Sequence, residues 1–225
     1  MKVQIGIIGA MVPEVEAIIA ALEDSQCETV SGISFYTGRL YGKSVAVAKC
    51  GIGKVFAAIC TEAMIVKYGV ERLINTGVGG AISNELNITD IAISNFVVQH
   101  DMDTSALGDP VGLISGINVV DIAADEAMIS ALCAAAEKKG ARYLVGKIAS
   151  GDLFVSGGEK KKYIEDTFGA IVCEMEGAAI GQVCYVNKVP FCVIRAVSDK
   201  ADGSSRVDLL VADGTCYGVR CWSDE

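Results

Sequence analysis

The chain has 225 residues, 52% of them hydrophobic and 21% charged, and a formal net charge of −9. That length and apolar content exclude a disordered chain and suit one larger domain with a substantial buried core. The acidic balance argues against a nucleic-acid partner and leaves a small molecule as the expected ligand.

In chain order, residues 3–8 form a continuous apolar run closed by Gly9, the pattern of a buried strand. Pro13 then suits a helical first turn, and residues 14–23 read as a helix with Val15, Ile18, Ile19 and Leu22 on one face. Short strands are expected at 34–36 and 44–49, joined by a turn near Tyr41 and Gly42. Gly51, Ile52, Gly53 and Lys54 open a second helix running to about Tyr68. Residues 72–75 and 90–99 read as strands, the first ending in the glycine-rich segment 76–80. A helix is expected at 125–139, a strand at 143–149, a helix at 174–185, and a last strand at 191–197 that runs into Ser198 and Asp199. This alternation predicts an α/β fold: a single three-layer domain over 1–225, with a central mixed, largely parallel sheet flanked by helices. Residues 206–225 stand apart as an atypical tail, glycine-interrupted and weakly periodic.

No apolar run is long enough to cross a bilayer, and MKVQIGIIGAM lacks a signal-type cleavage pattern, so a cytoplasmic protein is expected. Nine cysteines could suggest disulfides, but the count is odd and most lie in apolar segments. Buried reduced thiols follow, with Cys216 and Cys221 as expected exceptions. One histidine and no C-x-x-C leave no metal pattern, and no cofactor is expected.

Sheets of this kind place their sites beyond the carboxyl ends of strands. Segments 9–14, 50–54, 76–80, 150–155, 174–176 and 198–199 all sit there, each bringing a glycine cluster or an acid. GIIGAM lacks G-x-G-x-x-G spacing, and Glu14 would sit where a pyrophosphate should rest, which disfavours a dinucleotide. No G-x-x-x-x-G-K-[ST] occurs either.

Taken together, IGIIGAM-x-x-E, Y-T-G-x-L, GIGKV, INTG, HD-x-D, SGD-x-F, EMEG and RAVSDKAD resemble the 5′-methylthioadenosine/S-adenosylhomocysteine nucleosidases of the nucleoside phosphorylase superfamily, in order and spacing from residue 1 to about 206. The resemblance implies a homodimer that releases adenine from small nucleosides in methionine salvage. It also implies Asp199 as the acid at purine N7, Glu14 as the base for water, and Glu176 as the grip on the ribose hydroxyls. Arg195 would place the water or orient a carboxylate, and Ser198 stands beside the acid. Phe154 would stack on the purine, Val155 and Gly80 would approach it through their backbones, and Met11, Ile52 and Met175 would line the apolar side. Leu107, where the family commonly has an aromatic residue, is expected to reach the partner's pocket. The apolar excess, a mean hydropathy of +0.43 and the segment 97–107 are read as the dimer contact. His100 is expected to be a structural histidine with satisfied ring nitrogens.

Each acid also has a structural explanation: Glu14 as a helix-dipole residue, Asp199 as a cap, Glu176 as a solvated helix position. Two alternatives stay open, a purine nucleoside phosphorylase and a binding relative without turnover. The chain departs from the family at Val78, where a serine is common, and in the tail after Ser205, where a long amphipathic helix with an aromatic lid is usual.

Overall fold

The computed structural model describes residues 3–202, so the expectations for the tail, Cys216 and Cys221 lie outside the described residues. The strands are β1 (Ile5–Gly9), β2 (Glu23–Val30), β3 (Ile33–Leu40), β4 (Lys43–Lys49), β5 (Leu73–Ala81), β6 (Ile91–Gln99), β7 (Ile122–Ala123), β8 (Tyr143–Ser150), β9 (Ala170–Glu174) and β10 (Phe191–Asp199). The helices are α1 (Val12–Ala20), α2 (Lys54–Val66), α3 (Glu126–Lys138), α4 (Gly158–Phe168) and α5 (Gly177–Asn187).

All the described strands belong to one sheet, ordered β10-β6-β8-β9-β5-β1-β4-β3-β2, with β7 on β6. It is mixed, as expected, although five of its ten pairings are antiparallel. Because β10 pairs with β5 as well as β6, the strands β5, β10, β6, β8 and β9 close on themselves. The closure brings the carboxyl ends of β5 and β9 together, with Gly80 opposite Cys173.

Helix α2 buries Ala57, Cys60, Thr61 and Met64, spaced as one helical face, and leaves Val55, Phe56, Ile59 and Val66 exposed. Asp125 caps α3 by accepting the Met128 N–H at 2.9 Å. Among the described residues no helix is long and apolar enough to cross a membrane.

The structure corrects several expectations. The first helix ends at Ala20 rather than at 23, because Glu23 already belongs to β2. That strand is exposed along nearly its whole length, so it lacks the alternation that marks a half-buried strand. Residues 174–185 divide between the end of β9 and helix α5, while α4 had no counterpart in the sequence reading. Cys27 is exposed and Cys133 half-buried, whereas the thiols of Cys50, Cys60, Cys173, Cys184 and Cys192 are buried. Residues 97 and 98 are interior strand positions, so segment 97–107 as a whole is no surface contact.

Candidate active site

A cavity of about 170 Å³ opens where the carboxyl ends of β1, β5, β9 and β10 meet. Ten of the eleven residues singled out from the sequence line it: Glu14, Asp199, Gly80, Phe154, Val155, Met175, Glu176, Ser198, Ile52 and Met11. Val78, Leu153, Cys173 and Glu174 also line it. Arg195 does not, being buried among the residues that support the cleft floor.

Glu14 enters the cleft from the first turn of α1, which begins at Val12 and carries Pro13 as its second residue. Its Oε2 accepts the N–H groups of Ala10 at 2.6 Å and Met11 at 2.9 Å, and its Oε1 accepts the Val78 N–H at 3.1 Å. A carboxylate has about four lone-pair sites, so Oε1 keeps one for a further partner. Glu14 thus satisfies the start of its own helix and also presents an acceptor to the cavity. The departure at Val78 costs this anchor nothing, because the contact is through backbone. Gly77 permits the approach, since a Cβ there would lie 2.6 Å from Glu14 Oε1.

Asp199 ends β10 and is buried. Its Oδ1 accepts the Ala201 N–H at 2.8 Å, and its Oδ2 accepts the Ser198 hydroxyl at 2.8 Å.

Glu176 precedes α5 and accepts the Gly53 N–H at 2.9 Å. Burial pushes its carboxyl up to about 7, helped by the negative charge of Glu174 and offset in part by Arg195 at 3.8 Å. Its neighbour in the EMEG motif behaves oppositely. Burial alone would raise Glu174, but the Arg195 guanidinium, the Ser150 hydroxyl and the N–H groups of Gly177 and Glu176 hold it below the ordinary carboxylate range. Arg195 in turn donates to Glu174, to the Asn75 side chain at 2.5 Å and to the Asn75 carbonyl at 3.3 Å. Arg195 therefore orients carboxylates from beneath.

Glu174, Asn75 and Ser150 were not singled out from the sequence. The available signal was EMEG itself: Glu174 ends β9, whereas Glu176 lies past the strand at the start of α5, so the two glutamates sit on different elements.

A pH dependence follows from Glu176. Ionised, Glu176 presents a stronger acceptor to the cleft, so a kcat/KM that depends on that acceptor is expected to fall as pH drops through about 7. Stability has the opposite sign: the folded state holds this proton more tightly than the unfolded chain, whose ordinary value is 4.5. The associated stabilisation is fully present below 4.5 and is lost as pH rises through about 7. Glu176→Gln, a permanently neutral mimic, should melt at or above wild type at pH 8 while losing roughly 10- to 100-fold in kcat/KM. Thermal melts at two pH values and initial rates check both; a variant that melts well below wild type at pH 8 contradicts the assignment.

His100 is buried, as expected of a structural histidine, yet neither ring nitrogen has a hydrogen-bond partner among the described residues. The expected satisfaction of the ring is therefore not met. The ring packs where a Cβ on Gly151 would lie 2.5 Å from it, and burial lowers its pKa. Leu107 sits on a short 3-10 turn (Ser105–Leu107), 84% exposed and outside this chain's own cleft. Among the described residues no group of three or more His, Cys, Asp or Glu side chains is placed to hold a metal.

The sequence profile of the phosphorylase superfamily matches residues 4–214. A protein of Shewanella loihica named 5′-methylthioadenosine/S-adenosylhomocysteine nucleosidase is 42% identical over 206 residues, covering 91% of this chain and 90% of the relative. A mutant Helicobacter pylori nucleosidase, solved with 5′-methylthioadenosine in its active site, superposes with a TM-score of 0.86 at 34% identity, covering 90% of this chain and 88% of that one. The futalosine hydrolase of Helicobacter pylori superposes with a TM-score of 0.86 at 35% identity, covering 89% and 86%. Sheet closure, the carboxylate-lined cleft and these likenesses define a protein of the phosphorylase superfamily. Within it the chain belongs to the 5′-methylthioadenosine/S-adenosylhomocysteine nucleosidases, which are N-glycosidases.

Proposed function

We propose that this chain hydrolyses the N-glycosidic bond of 5′-methylthioadenosine, S-adenosylhomocysteine and 5′-deoxyadenosine, releasing adenine, and serves methionine salvage. Cleavage leaves an oxocarbenium-like ribose and a purine anion, so it needs a proton donor at N7 and a base for water. Asp199 is the donor, Glu14 the base through the free lone pair on Oε1, and Glu176 the acceptor for the ribose hydroxyls. Phe154 stacks on the purine, with Val155 and Gly80 approaching its edge. Met11, Met175 and Ile52 supply the apolar wall toward the 5′ group.

The observation that carries hydrolysis over phosphorolysis is the cleft's charge. Among the described residues that line it there is no lysine or arginine, and Arg195 below is tied to Glu174 and Asn75. A phosphate dianion would meet Glu14 and Glu176 with no free cation to offset them.

The working unit is proposed to be a homodimer in the cytoplasm. The exposed Val55, Phe56 and Ile59 of α2 lie close in sequence to the half-exposed Ile52 that lines the cleft, and Leu107 is free to reach a partner's 5′ pocket. Sedimentation should return twice the chain mass; a fully active monomer would remove the dimer from the account.

A substrate panel in phosphate-free buffer, followed by adenine release, tests the function. Turnover of the two thio-nucleosides is expected, with weaker affinity for 5′-methylthioadenosine because Leu107 is a small aliphatic lid. Since the Helicobacter neighbour named futalosine hydrolase shares the frame, futalosine belongs in the panel. Exclusive turnover of futalosine would overturn the proposed substrates, and a strict phosphate requirement would overturn the reaction.

A further inference from the structure

Lys54 begins α2, where a cation works against the helix dipole and so calls for a compensating partner. Its ammonium donates to Asp101 Oδ1 at 2.7 Å and to Gln99 Oε1 at 3.1 Å. Its backbone N–H donates to Asp152 Oδ1 at 2.8 Å. The Asp152 N–H in turn donates to Asp101 Oδ2 at 2.9 Å, closing a circuit of three residues. The circuit joins the start of α2, the segment after β6 and the segment after β8.

Two of those segments enter the cleft within two residues of the circuit. Immediately before Lys54, the Gly53 N–H holds the Glu176 carboxylate and Ile52 lines the wall. Immediately after Asp152 come Leu153, Phe154 and Val155, all of which line the cleft. Gly53 allows the close approach, with φ of 99° and space for a Cβ only 3.0 Å from Asp152 Oδ1. The Lys54 and Asp101 side chains are 20% and 27% exposed, so the pair is partly shielded from solvent. Burial alone would raise Asp101, but the Lys54 ammonium and the Asp152 N–H hold it below the ordinary carboxylate range.

We propose that Lys54 is a positioning residue: through Asp101 and Asp152 it sets the spacing between the 51–53 loop, which holds Glu176, and the 153–155 segment, against which the purine lies. The inference rests on the nucleosidase reading for the identity of the ligand. Lys54 touches no substrate and acts through the two loops. Without its charge, Asp101 and Asp152 face each other with one N–H between them, and the 153–155 segment is expected to move away from the 51–53 loop.

The test is Lys54→Met, which keeps the length of the stem, beside Lys54→Arg and Asp101→Asn. Adenine affinity by calorimetry and KM are expected to weaken by about tenfold in Lys54→Met, with kcat within about threefold of wild type. Lys54→Arg keeps the charge and should restore both to within about threefold. Adding Asp101→Asn to Lys54→Met should change little further, since both changes break the same circuit. Wild-type adenine affinity and KM in Lys54→Met would overturn the proposal. So would a loss confined to kcat and melting temperature, which is what a merely structural lysine would give. A wild-type protein that neither binds adenine nor turns over a nucleoside refutes the nucleosidase reading and the inference with it. A wild-type protein that does both, beside an unaffected Lys54→Met, refutes the inference alone.

Discussion

Asp199→Asn is expected to lower turnover by roughly 10²-fold or more while nucleoside binding survives. The hydrogen bonds explain why the two effects separate. An asparagine oxygen can keep the Ala201 N–H that Asp199 Oδ1 now accepts at 2.8 Å. Its amide then faces Ser198 Oγ, which can turn its own hydrogen toward the Gly79 carbonyl at 3.3 Å. Every local bond thus has a replacement, and the pocket keeps its shape. What the amide cannot replace is a carboxylic proton for N7, so the loss falls on the chemical step. Single-turnover rates and adenine affinity on the same preparation separate the two, and near-normal turnover would take Asp199 out of the mechanism.

Glu14→Gln should cost activity at least as heavily, about 10²- to 10⁴-fold, and should also cost stability. The carboxylate accepts three backbone N–H groups, from Ala10, Met11 and Val78. A glutamine has one acceptor oxygen and one NH₂ donor, and in either orientation the NH₂ meets at least one of those N–H groups. The milder choice leaves the Val78 N–H unpaired, a penalty of about 1–3 kcal/mol for a buried donor. The same NH₂ then occupies the oxygen position that should receive a proton from water. Gly77→Ala, which keeps the carboxylate but crowds Oε1, should reduce turnover in the same direction. The melting temperatures of Glu14→Gln and Glu176→Gln should therefore move apart at pH 8, the first down and the second level or up. Full turnover in Glu14→Gln would place the base elsewhere.

Much of the site was legible because its residues cluster at strand ends, and strand ends are marked in sequence by apolar runs stopping at glycine or acid. Ten of the eleven residues singled out line one cavity. Arg195 is the exception, and the reason lies in geometry: on β10 it belongs to the strand rather than its end, so its side chain goes under the cleft to Glu174. Glu174 itself was hidden because, although it is the last residue of β9, it was read as the start of the following helix.

Fold elements escaped for different reasons. Strand β2 is polar apart from Cys27 and Val30, and its pairing with β3 comes from a turn at Ser31 and Gly32, both at positive φ. A Ser-Gly pair between two short segments was the available hairpin signal. Helix α4 reads as a charged stretch, and only Ile164 and Phe168, four apart and buried, betray its inner face. Sheet closure through β10 pairing both β5 and β6 left no local mark, because strand partners are chosen by tertiary packing.

The measurement that tests the central claim most directly is turnover of 5′-methylthioadenosine in ¹⁸O-labelled water with saturating unlabelled phosphate. If Glu14 activates water in a cleft without a free cation, the released sugar carries the label at its anomeric carbon and no sugar phosphate forms. An unlabelled sugar 1-phosphate as the product would contradict that account.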